Sequence, residues 1–445
     1  MKSDRILIKN ATIINDGINW VGDVLIEGEY ISQIGQGLSG ENAKIIPADG
    51  LLLMPGVIDD QVHFREPGLT HKADIATESM AALAGGITSF MEMPNVIPQT
   101  TTIKHLEEKM TIGAAKSVVN YSFFLGATNN NLDELRHINP ETTCGVKIFM
   151  GSSTGDMLVD DDNILDNIFS QVPALIATHC EYEPRVKERY ADALKQFGDN
   201  IPPEMHPFIR DEEACYRSSS HAIELAKKHN TRLHVLHITT AAETNLFTNQ
   251  IPLKQKHITS EVCVHHLHFT SNDYAKLGNQ IKCNPAIKAP TNRDALWKAL
   301  LDDRLDIVAT DHAPHTWEEK QNLYPKSPSG LPLVQHALPL MLEYVRKGVI
   351  SYEKVVEKMC HAPADCFKIK DRGYIREGYK ADLVLVDPND KWTVKKENLL
   401  YKCGWSPMEG NTFNHTIHTV FVNGCISWNH GFTNQTKAQR LSFFI

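Results

Sequence analysis

The chain has 445 residues, 42% hydrophobic and 22% charged, with a formal net charge of −9 at pH 7. This is the composition of an ordinary folded protein and excludes extended disorder. The length exceeds what one core usually fills, and acidic charge spread without a basic block excludes nucleic acid or an anionic membrane as main partner, leaving a small-molecule substrate as the default.

The first five residues, Met-Lys-Ser-Asp-Arg, lack the apolar core of a signal peptide, and no stretch approaches the length of a membrane span. Nine scattered cysteines with no CxxC pair read as reduced thiols. A cytoplasmic protein is expected, with the Asn-x-Thr triplets at Asn10, Asn414 and Asn434 arising by chance. The first 50 residues alternate as strands do (Arg5-Ile6-Leu7-Ile8, Ala11-Thr12-Ile13-Ile14, Asp23-Val24-Leu25-Ile26), and the texture returns at Ala381-Asp382-Leu383-Val384-Leu385-Val386-Asp387 and Thr419-Val420-Phe421-Val422. Two β-rich ends predict one small β-sandwich built from both termini.

Between them, apolar runs alternate with helical patterns, as in βα units. Eight candidate strands fall near 51–58, 87–93, 119–126, 145–150, 173–178, 232–238, 257–262 and 306–310, with helices expected over, for instance, 72–83 and 212–228. Eight is the number a closed parallel barrel requires. The expected fold is therefore α/β: a TIM-type (β/α)8 barrel over 53–365, with the sandwich formed from 1–52 and 366–445.

Several of these runs stop at residues that carry chemistry. His63 follows the first strand, Asn95 the second, Lys147 lies in the fourth, His179 follows the fifth, His237 lies in the sixth and Asp311 follows the eighth. Histidines and an aspartate on one rim suggest a hydrolytic metal centre, since neutral imidazoles and carboxylates bind zinc. A protonated lysine cannot. Lys147 could carry carbon dioxide as a carbamate, form a Schiff base with a carbonyl substrate, or simply reach solvent or a carboxylate. The three histidines and the aspartate arriving beside it favour the carbamate.

At this point the motifs become specific. Pro55-Gly56-Val57-Ile58-Asp59 through Pro67-Gly68, Met93-Pro94-Asn95, Thr178-His179-Cys180-Glu181, Leu233-His234-Val235-Leu236-His237-Ile238-Thr239-Thr240, Glu261-Val262-Cys263-Val264-His265-His266-Leu267, Asn284-Pro285 and Asp311-His312-Ala313-Pro314-His315 together resemble the dihydroorotases, in the cyclic amidohydrolase branch of the amidohydrolase superfamily. The resemblance runs essentially end to end, through Gly373-Tyr374-Ile375-Arg376-Glu377-Gly378 and Lys402-Cys403-Gly404-Trp405-Ser406-Pro407. It implies reversible cyclisation of N-carbamoyl-L-aspartate to L-dihydroorotate in pyrimidine synthesis, on one or two zinc ions. One ion would be held by His63, the Lys147 carbamate and Asp311, the other by the same carbamate, His179 and His237. Arg65, Asn95 and His315 would hold the substrate carboxylate, with Asn284 near the ring, while Asp311 moves the proton between metal-activated water and the ring nitrogen.

One departure stands out. Most members carry His-x-His after the first strand, where this chain has Gln61-Val62-His63. An amide oxygen is a weaker zinc donor than imidazole, so Gln61 is a doubtful ligand and the first metal site is expected to be the weaker. His234, His265, His266 and His268 read as packing or supporting groups. Arg65 separates substrates, because a hydantoinase or dihydropyrimidinase opens a ring that need not carry a free carboxylate; allantoinase is a further ring opening on the same scaffold. Those activities remain alternatives, as does a non-catalytic scaffold, for which Gln61 is the sole support. A homo-oligomer, in the simplest case a dimer, is expected, and Gly151-Ser152-Ser153-Thr154-Gly155 is the segment expected to move over the site.

Overall fold

Eight parallel strands closing on themselves form the centre of the computed structural model, which describes residues 5–151 and 157–445. They are β1 (Val57–Val62), β2 (Ile87–Glu92), β3 (Asn120–Phe123, continuing at Leu125–Gly126), β4 (Val146–Phe149), β5 (Ile176–His179), β6 (Leu233–Val235), β7 (Ile258–Cys263) and β8 (Ile307–Ala309). Each pairs in parallel with the next. Closure comes from the His63 backbone N–H, which donates to His312 O at 2.7 Å beside a parallel bridge between Val62 and His312. Of the segment expected to move, Ser152 to Gly155 lie outside the described residues.

The strands bury both faces, so their sequences are continuous apolar runs rather than alternating ones. Ile58, Met91, Phe124, Ala177, Leu236 and Ile307 pack in one cluster that includes the barrel interior. Val57, Phe90, Ile148, Ile176, Val262 and Val308 belong to the core beneath the surrounding helices. The helices start where local chemistry dictates. Asp74 caps Ile75–Ala84 through Thr77 N–H in a reciprocal capping box, and Asp211 caps Glu212–His229, which ends at Asn230 in a left-handed conformation.

The first expected strand, 51–58, is two strands. Leu52–Pro55 joins a sheet built from both chain ends, and the barrel strand begins only at Val57. Gly56 marks the join, its N–H donating to Asp382 O. The apolar run gave no sign of the break because residues on both sides are buried. The end sheet is mixed, in the order 425–429, 416–422, 383–387, 52–55, 5–15, 18–27, 30–35, with 44–47 also on 5–15. Alternation directs Val384, Val386 and Val420 toward the main core, whereas Leu383, Leu385 and Phe421 share a separate core with Ile6, Ile8 and Val24.

Candidate active site

A cavity of ≈ 790 Å³ opens at the carboxyl ends of the barrel strands. Ten residues singled out from the sequence line it: Gln61, His63 and Arg65 from β1 and its loop, Asn95 after β2, Lys147 from β4, His179 from β5, His237 after β6, Asn284 after β7, and Asp311 and His315 after β8. Three of them, Arg65 (φ 68°), His237 (φ 40°) and Asp311 (φ 46°), have left-handed backbones, which non-glycine residues adopt at a cost. The turn at the end of each strand thereby aims the side chain into the cavity.

The histidines face one another and Asp311 through ring nitrogens. His63 Nδ1 meets Asn95 Oδ1 at 2.7 Å and its Nε2 meets Asp311 Oδ1 at 3.1 Å. Burial lowers the His63 pKa, so a neutral ring has one proton for two oxygens. With that proton given to Asn95, Nε2 presents a lone pair to a carboxylate, an arrangement that a shared cation relieves. His179 Nε2 lies 2.9 Å from Glu181 Oε2, leaving Nδ1 to face His237 Nε2 at 3.0 Å. Burial would raise the Glu181 carboxyl, yet Arg210, 2.6 Å away, and His179 hold it far below the usual range. Burial and the neighbouring His179 hold His237 well below its ordinary value, and its Nδ1 has no hydrogen-bond partner among the described residues. The two facing pairs, His63 Nε2 with Asp311 Oδ1 and His179 Nδ1 with His237 Nε2, offer imidazole and carboxylate donors of the kind that can hold a divalent metal.

Lys147 is 1% exposed and its Nζ lies 4.6 Å from the Phe149 ring centre. Burial outweighs the attraction of Asp311 and Glu261 and brings its pKa down to about 8. Gln61 turns its amide N–H toward Asp311 Oδ1, at 3.1 Å, while its oxygen accepts weakly from the Cys263 thiol at 3.9 Å. Both ends of this amide are engaged, and it meets Asp311 as a donor.

Arg65 and His315 form the opposite wall. The guanidinium donates through Nε to Pro314 O at 3.0 Å, and its Nη2 contacts His315 Nε2 at 3.0 Å. His315 is further held by Lys72 Nζ at 3.1 Å, by Ser329 O at 2.9 Å and by the Trp405 indole N–H on its carbonyl. Ser329 Oγ donates to Asn284 Oδ1, tying both to the segment 324–330. Arg65 is 6% exposed, burial pulls its pKa down to about 10, and no carboxylate among the described residues lies within ion-pair distance.

Sequence reasoning passed over two of the supports, Glu181 and Arg210, while it read His234 as a supporting group. Glu181 stood in a quoted motif two residues after His179, so its spacing was available as a signal, whereas Arg210, 29 residues further on, was legible only in three dimensions. Two further buried groups converge, Asp60 with His234 and Glu261, and Cys263 with His265 and His266. His234 lies 3.2 Å from Asp60 and 3.3 Å from Glu261, and Glu261 also accepts the His237 backbone N–H at 3.1 Å, so the first group braces the strand end that carries His237.

The Amidohydrolase family profile matches residues 52–426. The chain belongs to the amidohydrolase family. Its members are hydrolases, generally metal-dependent, in keeping with the ligand geometry above. A dihydroorotase of Halobacterium salinarum is 33% identical over 92% of this chain and 93% of its own length. An allantoinase of Salmonella paratyphi B is 29% identical over 98% of both. The solved L-hydantoinase (dihydropyrimidinase) from Arthrobacter aurescens superposes with a TM-score of 0.92 over 99% of this chain and 100% of that one, at 24% identity, and so shares this amidohydrolase's fold. No helix among the described residues is long and apolar enough to cross a membrane.

Proposed function

We propose that this amidohydrolase is a cytoplasmic dihydroorotase, interconverting N-carbamoyl-L-aspartate and L-dihydroorotate in pyrimidine biosynthesis. The observation that carries this reading is the buried Arg65 guanidinium, which has no carboxylate paired to it among the described residues and lies in the same cavity as His63 and Asp311. A buried charge needs a partner, and a substrate bearing a free carboxylate supplies one. Hydantoin and dihydropyrimidine rings offer none.

Lys147, once neutral, would take up carbon dioxide as a carbamate, the amine nitrogen bonding to carbon and losing one proton. The carbamate with His63 and Asp311 would hold one zinc ion, and with His179 and His237 a second. Bound zinc would polarise the scissile carbonyl and bring the pKa of water down to ~7. Asp311 accepts the proton released in hydrolysis and passes it to the departing ring nitrogen, reversing the order for cyclisation. Arg65 and His315 hold the substrate carboxylate, and Asn95, whose oxygen is engaged by His63, offers its amide N–H groups. Asn284, fixed by Ser329, faces the ring.

Allantoinase or hydantoinase activity is the second reading, favoured by the allantoinase relative that aligns over nearly the whole of both chains. Metal analysis of the purified protein, with hydrolysis of dihydroorotate measured beside hydantoin, dihydrouracil and allantoin before and after chelation, tests both. Chelator-sensitive turnover of dihydroorotate in clear preference is expected. Preference for a ring without a carboxylate would transfer the protein to the second reading, and no turnover of any would leave the scaffold. Lys147→Ala should lose most metal and activity, with partial rescue by short carboxylic acids. Substrate trapped on Lys147 by borohydride would overturn the carbamate in favour of a Schiff base.

A further inference from the structure

Two buried lysines stand behind the Arg65 side of the cavity, and neither was singled out from the sequence. Lys320, the last residue of a short helix (Trp317–Lys320), is 1% exposed, and Lys282 is 7% exposed. The Lys320 ammonium donates to three carbonyls: Pro328 O at 2.9 Å, Gly330 O at 3.0 Å and Lys282 O at 3.3 Å. Lys282 donates to Tyr324 O at 2.7 Å and Ser327 O at 2.6 Å, with its Nζ 4.1 Å from the Tyr324 ring centre. Among the described residues no carboxylate lies within ion-pair distance of either. Two buried cations compensated only by neutral carbonyls are rare, because buried charges are ordinarily paired.

Four of the five carbonyls they hold belong to 324–330, a segment without helix or strand that forms one wall of the cavity through Pro328, Ser329 and Gly330. The same wall supports the groups that face substrate: Ser329 O lies against His315, Ser329 Oγ binds Asn284, and Gly330 sits so close to Ala313 that an added Cβ would lie 2.3 Å from its carbonyl oxygen. The carbonyls of Tyr324, Ser327, Pro328 and Gly330 are occupied by the ammonium groups and that of Ser329 by His315, so the wall carries positive charge with these oxygens already engaged.

We propose that Lys282 and Lys320 are specificity-determining positioning residues, fixing the 324–330 wall and supplying the buried positive charge that selects an anionic ring substrate over a neutral one. This rests on the dihydroorotase reading and extends it from Arg65 to a second layer of cations that do not touch the substrate. In the free protein, burial brings both ammonium groups down to a pKa of about 7, so each is partly protonated near neutrality and an anion bound in the cavity favours its charged form.

The test compares binding of orotate, a planar ring bearing a carboxylate, with binding of uracil, the same ring without one, by titration calorimetry on the intact metal-loaded protein. Lys320→Gln and Lys282→Gln keep hydrogen-bond donors but remove the charge, and Lys320→Arg restores it. The expected result is at least a tenfold fall in the orotate-to-uracil affinity ratio in each Gln variant, near-wild-type selectivity in Lys320→Arg, and for dihydroorotate turnover a rise in KM larger than the loss in kcat. An unchanged ratio, or an equal loss of both ligands, would make the lysines merely structural and overturn the proposal. Should Lys320→Gln fail to fold, Lys282→Gln at the outer edge of the wall decides the matter by the same ratio. Failure of the underlying reading looks different: the wild-type protein itself would show no preference for orotate and no turnover of dihydroorotate.

Discussion

At residue scale the informative contrast is between Gln61 and Arg65, four positions apart and both buried. The sequence marks Gln61 as a poor ligand. The structure adds a reason for its presence, because its N–H reaches the same Asp311 oxygen that faces His63. An amide donor there orients the carboxylate while contributing no metal-binding nitrogen. The site built on His63 and Asp311 should therefore lose metal under mild chelation before the site built on His179 and His237, and Gln61→His should tighten the weaker site alone. Two equally retained ions in the native protein, unaffected by that substitution, would refute this. For Arg65, replacement by Met leaves a substrate carboxylate without its partner, at a cost on the order of 2–3 kcal/mol, roughly 30- to 150-fold in dihydroorotate kcat/KM. Unchanged kinetics would remove Arg65 from the site. Individual residue types were legible in the sequence because ligand chemistry is narrow: few side chains bind zinc, and they stood where apolar runs stop. Lys282 and Lys320 were illegible because a lysine in a loop reads as solvated, and only burial reveals otherwise.

Among the elements, the strand ends position the chemistry and the loops after them complete it. The barrel was readable because buried parallel strands leave continuous apolar runs. Its start was misread for the same reason, since Leu52–Pro55 and Val57–Val62 are both fully buried while belonging to different sheets. The 324–330 wall has no periodicity to read. Its geometry is set instead by close approach, and Gly330 at φ +139° is where this is tightest. An alanine there would meet Ala313 O at 2.3 Å and the His315 ring at 3.1 Å, so the wall must shift. Gly330→Ala should cost about 1–3 kcal/mol in strain and raise KM for dihydroorotate by displacing His315, while metal content stays at the wild-type level. Kinetics and metal analysis of the same preparation check both halves. Loss of metal together with affinity would place the damage at the ligands rather than at the wall.

For the whole molecule, the cavity opens at one end of the barrel and the C-terminal tail closes the other. The last ten residues run beneath the amino ends of the strands: Leu441 N–H donates to Tyr121 O, Phe443 N–H to Glu141 O, and Arg440 grips Glu107 with both terminal nitrogens. Leu441 and Phe443, 1% and 2% exposed, pack with Ile58, Phe124 and Phe367 in the cluster that includes the barrel interior. The chain's two ends are also tied to each other and to the barrel. Asp382 bonds Arg372, the Asn423 backbone and Asn120 of β3, and Asn120 Oδ1 accepts the backbone N–H of Gln439, whose side-chain amide donates to Glu29 near the other end of the chain. Phe443→Ala removes a large ring from a packed interior far from the proposed metal ligands, a change that costs about 3–5 kcal/mol. The expected outcome is a lower denaturation midpoint with KM for dihydroorotate unchanged wherever the variant remains folded, because the rim that carries Arg65, His315 and Asp311 is at the opposite ends of the strands. A raised KM at full folding would show that packing at the amino ends is transmitted through the strands to the site.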